Sequence, residues 1–286
     1  MTWKKSWKRF VASTKEIPRD VLEEGLASGF LEDYEEAIER FERVEYIDYG
    51  YSQTKASARY YKGQALSELG KHEEAVSVLK QYLEKEKDDG NGWLSLGTVY
   101  MELEKFNEAS DCYQKALKIS PKEPNIWAIR ADPLIELKKF EEGLECCEKA
   151  LNLDPNNSLA LINRGGIYTE QGKFEKAIED FQKHVKLEPD SADALQVVGT
   201  SYLLKDDLEE AIKWIEKGLK IDPTDEISWY NKACVLSLMN KKEEACDALL
   251  VATSIEPENL VRMRDEKDFD NIKNSECFKK LLNQPV

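Results

Sequence analysis

Along most of the chain, apolar residues recur at three- and four-residue spacings, the period of a helix with one buried face. Such stretches come in pairs joined by a short polar turn, and the pair itself recurs. "WLSLGTVYMELEKFNEASDCYQKALKISP" (93–121) is answered by "ALINRGGIYTEQGKFEKAIEDFQKHVKLEP" (160–189) and "ALQVVGTSYLLKDDLEEAIKWIEKGLKIDP" (194–223). Pro121, Pro155, Pro189, Pro223 and Pro257 follow one another at intervals of 34 residues, each placed to stop the second helix of its pair. The pattern predicts six helix-turn-helix units, 56–89, 90–123, 124–157, 158–191, 192–225 and 226–259.

Aligned columns carry the packing. The eighth place holds Gly63, Gly97, Ala131, Gly165, Gly199 and Ala233, and the twentieth Ala75, Ala109, Gly143, Ala177, Ala211 and Ala245, small enough for two helices to approach closely. Trp93, Trp127, Leu161, Leu195 and Trp229 recur at the fourth place, with Tyr100, Leu134, Tyr168, Tyr202 and Leu236 two turns on. Tyr82 and His184 stand in a column that is otherwise Ala or Gly, so those two interfaces should be splayed or repacked.

This Trp, Leu, Gly, Tyr, Ala, Phe, Ala, Pro series resembles the tetratricopeptide repeat over residues 56–259. The resemblance implies an all-α fold, a right-handed superhelical solenoid of helix-turn-helix repeats. A weaker copy with a short insertion occupies 18–55, aligning Gly25 and Ala37 with the small columns. The tail, 260–286, spaces Phe269, Ile272, Phe278, Leu281 and Leu282 to cover the apolar end of the last repeat. Residues 1–17 read as a basic amphipathic helix, with Trp3, Trp7, Phe10 and Val11 on one side and Lys4, Lys5, Lys8 and Arg9 beside or opposite; it could cap the first repeat, lie on an anionic membrane or enter an acidic groove of its own or a neighbouring chain.

One residue breaks the pattern. Pro133 falls inside a first helix, where the other units carry Ala65, Val99, Ile167, Ser201 and Val235. It should free the carbonyl of Ile129 and bias Asp132 away from α geometry, bending the array or exposing acceptors to a ligand.

Charge and chemistry narrow the function. A net charge of −15 speaks against nucleic acid, whose phosphates are bound by Lys and Arg. It is uneven, since residues 1–15 carry Lys4, Lys5, Lys8, Arg9 and Lys15 without an acid. No membrane-length apolar run or secretory signal is present, so a cytoplasmic location is expected. The cysteines at 112, 146, 147, 234, 246 and 277 follow no metal or disulfide spacing and read as reduced packing residues. There is no GxGxxG, GxxxxGK, GxSxG or HExxH, and His72 and His184 occupy scaffold places. No catalytic residue, metal or cofactor is implied; the expected function is a non-enzymatic protein-interaction scaffold, with a peripheral membrane or targeting adaptor anchored by residues 1–11 as the alternative.

In the family resembled, first helices line a concave groove for an extended peptide or a helix. Carried across place by place, the wall comprises Tyr60, Tyr61 and Gln64; Leu94, Ser95 and Thr98; Ala128, Ile129 and Asp132; Ile162, Asn163 and Gly166; Gln196, Val197 and Thr200; Tyr230, Asn231 and Cys234. The Lys, Arg and Asn clamp by which relatives hold acidic chaperone C-termini is missing, with Ala128, Asp193 and Val197 where basic residues should fall. Glu68, Glu102, Glu136 and Glu170 instead recur at the thirteenth place as an acidic rail, which favours a basic or mixed-charge partner. Self-association is left open.

Overall fold

The computed structural model describes residues 25–26, 33–46 and 52–282; residues 1–17, including the basic aromatic segment, lie outside them. All regular structure among the described residues is helical, in agreement with the all-α class expected from the sequence. The chain forms two compact units, Met1–Leu153 and Asp154–Val286.

In the first unit, α1 (Tyr34–Tyr46) precedes three helix pairs: α2 (Ser52–Glu68) with α3 (His72–Lys85), α4 (Gly90–Glu102) with α5 (Phe106–Ile119), and α6 (Pro124–Glu136) with α7 (Phe140–Leu153). The second unit holds α8 (Ser158–Glu170) with α9 (Phe174–Leu187), α10 (Ala192–Leu204) with α11 (Leu208–Ile221), and α12 (Glu226–Leu238) with α13 (Lys242–Ile255). It closes with α14 (Asn259–Asp265), a 3-10 turn at Lys267–Phe269 and α15 (Glu276–Leu282). Within each unit, every helix of a pair packs on its mate, and the second helix packs on the first of the next pair.

The small eighth-place residues explain the tight pairing. A Cβ on Gly63 would lie 2.6 Å from Leu79, on Gly165 2.5 Å from Phe181 and on Gly199 2.7 Å from Ile215; at Gly97 it would collide with Tyr113. Each glycine makes room for a large side chain at the twenty-fourth place of the same repeat. Where the eighth place is Ala131, the twenty-fourth holds the smaller Cys147. Gly25 repeats the arrangement, with a Cβ there 2.9 Å from Phe41, and Ala37 is fully buried.

Each pair is joined by the same turn. Gly70, Glu104, Lys138, Gly172, Asp206 and Asn240 all have positive φ, between 55° and 72°. Around Gly70, its own N–H donates to the Ser67 carbonyl (2.9 Å) and the Lys71 N–H to the Leu66 carbonyl (2.9 Å), a Schellman closure repeated at the other five turns. Four of the six places are not glycine, and a side chain in the left-handed region is strained. Glu104→Gly and Lys138→Gly should each raise stability by about 0.5–1 kcal/mol, the relief of strain exceeding the added entropy of an unfolded glycine. Thermal unfolding would show it, and a fall in both variants would mean that their side chains contribute more than the strain removes.

The tryptophans staple the turns between repeats. Trp93, Trp127 and Trp229 donate their indole N–H to the carbonyls of Lys87 (2.8 Å), Pro121 (2.9 Å) and Pro223 (2.8 Å), six residues back each time. Lys115 and Lys149, from the second helices, lie over the first two rings at 4.0 and 4.5 Å. The two irregular interfaces are repacked. Tyr82 is buried against Gly92, whose missing Cβ would sit 2.7 Å from its ring, and its hydroxyl donates to Asp89. His184 is buried with Nδ1 2.9 Å from Ser158 Oγ, which donates to Glu188 (2.8 Å).

Two expectations need correction. α6 runs unbroken through Pro133, so Asp132 keeps its helical place, and Pro133 is buried like the other tenth-place residues Ala65, Val99, Ile167, Ser201 and Val235. The ring fills a core position, and packing on both sides of the helix overrides the local preference against α geometry. The cysteines are also not all reduced: Cys112, Cys146, Cys147 and Cys234 are free and buried, but Cys246 and Cys277 form a disulfide. Its partners are 31 residues apart and come together only through the tertiary fold.

Candidate functional site

The candidate surface is the set of first-helix side chains at the fifth, sixth and ninth places. In the first unit these form a polar relay. Gln64 Nε2 donates to Tyr60 OH (2.9 Å) and across to Ser95 Oγ on α4 (3.3 Å), and Ser95 Oγ lies 3.4 Å from Tyr60 OH. Burial, the largest effect, pushes the Tyr60 phenol above its ordinary pKa, so this hydroxyl stays protonated and able to donate. Thr98 is exposed and turns its hydroxyl to its own helix at the Leu94 carbonyl (3.2 Å). Leu94 and Ile129 are half-buried against the same apolar cluster, and Asp132 is half-buried.

The second unit repeats the relay at matching places. Asn231 Nδ2 on α12 donates to Thr200 Oγ1 on α10 (2.9 Å), and Gln196 Nε2 donates to the same oxygen (3.0 Å). In both units a ninth-place residue thus meets a sixth-place residue of the following first helix. Val197 is half-buried, Ile162 is exposed, and a Cβ on Gly166 would meet open space.

Several of the wall residues are not available as drawn from the sequence. Tyr61 is buried, its ring stacked on Phe41 of α1 with centroids 6.2 Å apart. Ala128 and Asn163 are buried. Tyr230 is 2% exposed, covered by Phe269 in a T-shaped contact at 5.5 Å, and Cys234 beside it is also buried. The sequence pattern assigns Phe269 to the cap, and the cap occupies these groove places; the spacing from Pro257 carries the signal, since the tail begins where another first helix would.

Glu68, Glu102, Glu136 and Glu170 are exposed, and each is the last residue of its helix: α2, α4, α6 and α8. There the backbone carbonyls already present the negative end of the helix dipole, so a carboxylate is placed against the field rather than with it. Among the described residues no ion pair offsets any of the four.

Paired antiparallel helices, one relay geometry recurring along the first helices and one turn recurring between them define a helical-repeat scaffold, built to present a surface. Family models agree: the TPR domain of cytochrome c-type biogenesis protein H matches residues 71–191, and two tetratricopeptide repeat models match 22–92 with 162–226, and 214–247. The chain belongs to the tetratricopeptide repeat family, whose members are generally non-enzymatic protein-interaction scaffolds.

No curated protein matches the sequence. Solved structures do. A tetratricopeptide repeat protein from Parabacteroides merdae is similar at 16% identity over 92% of this chain and 96% of that one, with a TM-score of 0.70. PilF of Pseudomonas aeruginosa is similar at 17% identity over 75% and 94%, TM-score 0.62. YrrB, described as a TPR protein with an unusual peptide-binding site, is similar at 23% identity over 62% and 91%, TM-score 0.50. Among the described residues no helix is long and apolar enough to cross a membrane.

Proposed function

We propose that this protein is a non-enzymatic scaffold that receives a peptide or helix carrying basic side chains along the first helices of its repeats. The observation that carries the reading is the position of Glu68, Glu102 and Glu136 at the C-terminal ends of three successive first helices in one unit. A Glu at a helix C-terminus costs about 0.3–1 kcal/mol relative to a neutral residue, so a filler chosen only for solubility would avoid it. A cationic partner at these ends would be attracted by carboxylate and helix dipole together. The relay of Tyr60, Gln64 and Ser95 adds hydroxyl groups that can bond a peptide backbone, beside the apolar Leu94 and Ile129. YrrB is a precedent for a peptide site on this fold.

The test is charge reversal read with a defined probe, an amphipathic peptide of lysines and leucines. The Glu102→Lys, Glu136→Lys double variant should bind it roughly tenfold more weakly, with unchanged far-UV circular dichroism, and the difference should shrink as salt is raised. Equal affinity of the double variant and the parent chain would defeat the basic-partner reading.

A further inference from the structure

The C-terminal cap is made of pieces that cannot stand alone. α14 and α15 have seven residues each and the intervening 3-10 turn three, well short of the length at which an isolated helix is stable in water. They are held by docking. Leu260, Met263, Phe269, Ile272, Phe278 and Leu281 are buried in one cluster with Tyr230, Cys234 and Leu236 of α12 and Leu249 and Ala252 of α13. The Arg262 guanidinium lies over the Tyr230 ring at 4.5 Å, and the Asn271 side chain donates to the Ser237 carbonyl (3.2 Å). The cap therefore sits on the face of α12 that carries the fifth and ninth places, Tyr230 and Cys234.

The same segment is the one the disulfide ties down. Cys246 lies on α13 and is 4% exposed, whereas Cys277, near the start of α15, is partly exposed. The bond joins the end of the cap to the repeat it covers and closes a loop spanning 31 positions. No other cysteine among the described residues competes: the remaining four are buried.

We propose that Cys246–Cys277 is a redox latch on the cap, closed as the disulfide and released by a dithiol reductant, and that its release frees residues 259–282 to leave the α12 face. The asymmetry of exposure sets the chemistry. A reductant thiolate attacks the accessible Cys277 sulfur, the S–S bond breaks, and Cys246 departs as a thiolate and takes up a proton. The reductant's second thiol then displaces Cys277, which is protonated in turn. Two electrons and two protons pass to the protein and the reductant is left as its own disulfide. Without the cross-link the docked cap must recover the entropy of the open loop from burial alone, so its opening becomes more frequent. This inference does not depend on the partner proposed above.

Hydrogen exchange on the full chain, with and without dithiothreitol, tests it. The oxidised protein, unfolded without reductant, should yield four alkylated cysteines, and six after reduction. Reduction should accelerate amide exchange across 259–282 by roughly tenfold or more while leaving α10 and α11 unchanged. Cys277→Ser, at the partly exposed end of the bond, should show the fast exchange at once and not respond to dithiothreitol. Six alkylated cysteines in the unreduced chain, or cap exchange that is the same in the presence and absence of dithiothreitol, would overturn the latch; so would an acceleration spread evenly through the second unit.

Discussion

Phe269→Ala is expected to detach the C-terminal cap from the second unit. The ring is fully buried, meets Tyr230 edge-on at 5.5 Å and lies 5.8 Å from the Phe278 ring. Truncating a buried phenylalanine costs about 3–5 kcal/mol, and aromatic pairs add to the loss beyond their buried area. Stability in a repeat protein is close to a sum of each repeat and its nearest neighbours, so the loss falls on the terminal interface. Elements of seven and three residues have little to set against it. Once the Cys246–Cys277 bond is reduced, so that burial alone holds the segment, the cap should come away while α8 to α13 stay folded. Trypsin would report this through new cleavage at Arg262, Arg264, Lys267, Lys273, Lys279 and Lys280, with far-UV helicity reduced only by the cap's small share. Resistance equal to that of the parent chain would show that the other buried cap residues anchor the segment without Phe269.

The 34-residue period, the small columns and the helical class were legible because a repeat states each packing requirement several times, and the requirement at the eighth place is geometric: a Cβ there meets Leu79, Phe181 or Ile215. What could not be read was which groove places remain open. Tyr61 and Tyr230 occupy the sixth and fifth places of the first and last of the six regular repeats, and each is covered by a neighbour outside the strict period, α1 in one case and the cap in the other. Periodicity describes an interior repeat and says nothing of what lies against a terminal one. The left-handed turn residues were missed for a different reason. Gly70 and Gly172, and more weakly Asn240, advertise the conformation, whereas Glu104 and Lys138 adopt it under constraint from the helices on either side. The disulfide was hidden by irregular spacing, since Cys246 and Cys277 belong to a repeat and to the tail respectively.

Pro133→Val should stabilise the first unit by about 2 kcal/mol, more than Pro133→Ala. An interior proline costs a helix about 3 kcal/mol, from the missing N–H and from the ring's clash with the carbonyl four residues back, here Ile129. α6 nevertheless continues to Glu136, with the Leu137 N–H reaching the Pro133 carbonyl at 3.1 Å. The ring is tolerated because it sits where every other repeat buries a side chain, so alanine would restore the hydrogen bond but leave the space of the ring unfilled. Valine restores the same bond and keeps the volume, as Val99 and Val235 do at this place in their own repeats, both at 2% exposure or less; its β-branch gives back only a few tenths of a kcal/mol of helix propensity. Denaturant unfolding of the three chains should rank them valine, alanine, proline. A valine variant less stable than the parent would mean that α5 and α7 are fitted to the ring. The valine variant and the parent also separate structure from binding, because the backbone N–H that the substitution restores would occupy the Ile129 carbonyl. An unchanged affinity for the lysine and leucine peptide would assign Pro133 to packing alone, and a weaker one would place that carbonyl in the binding surface.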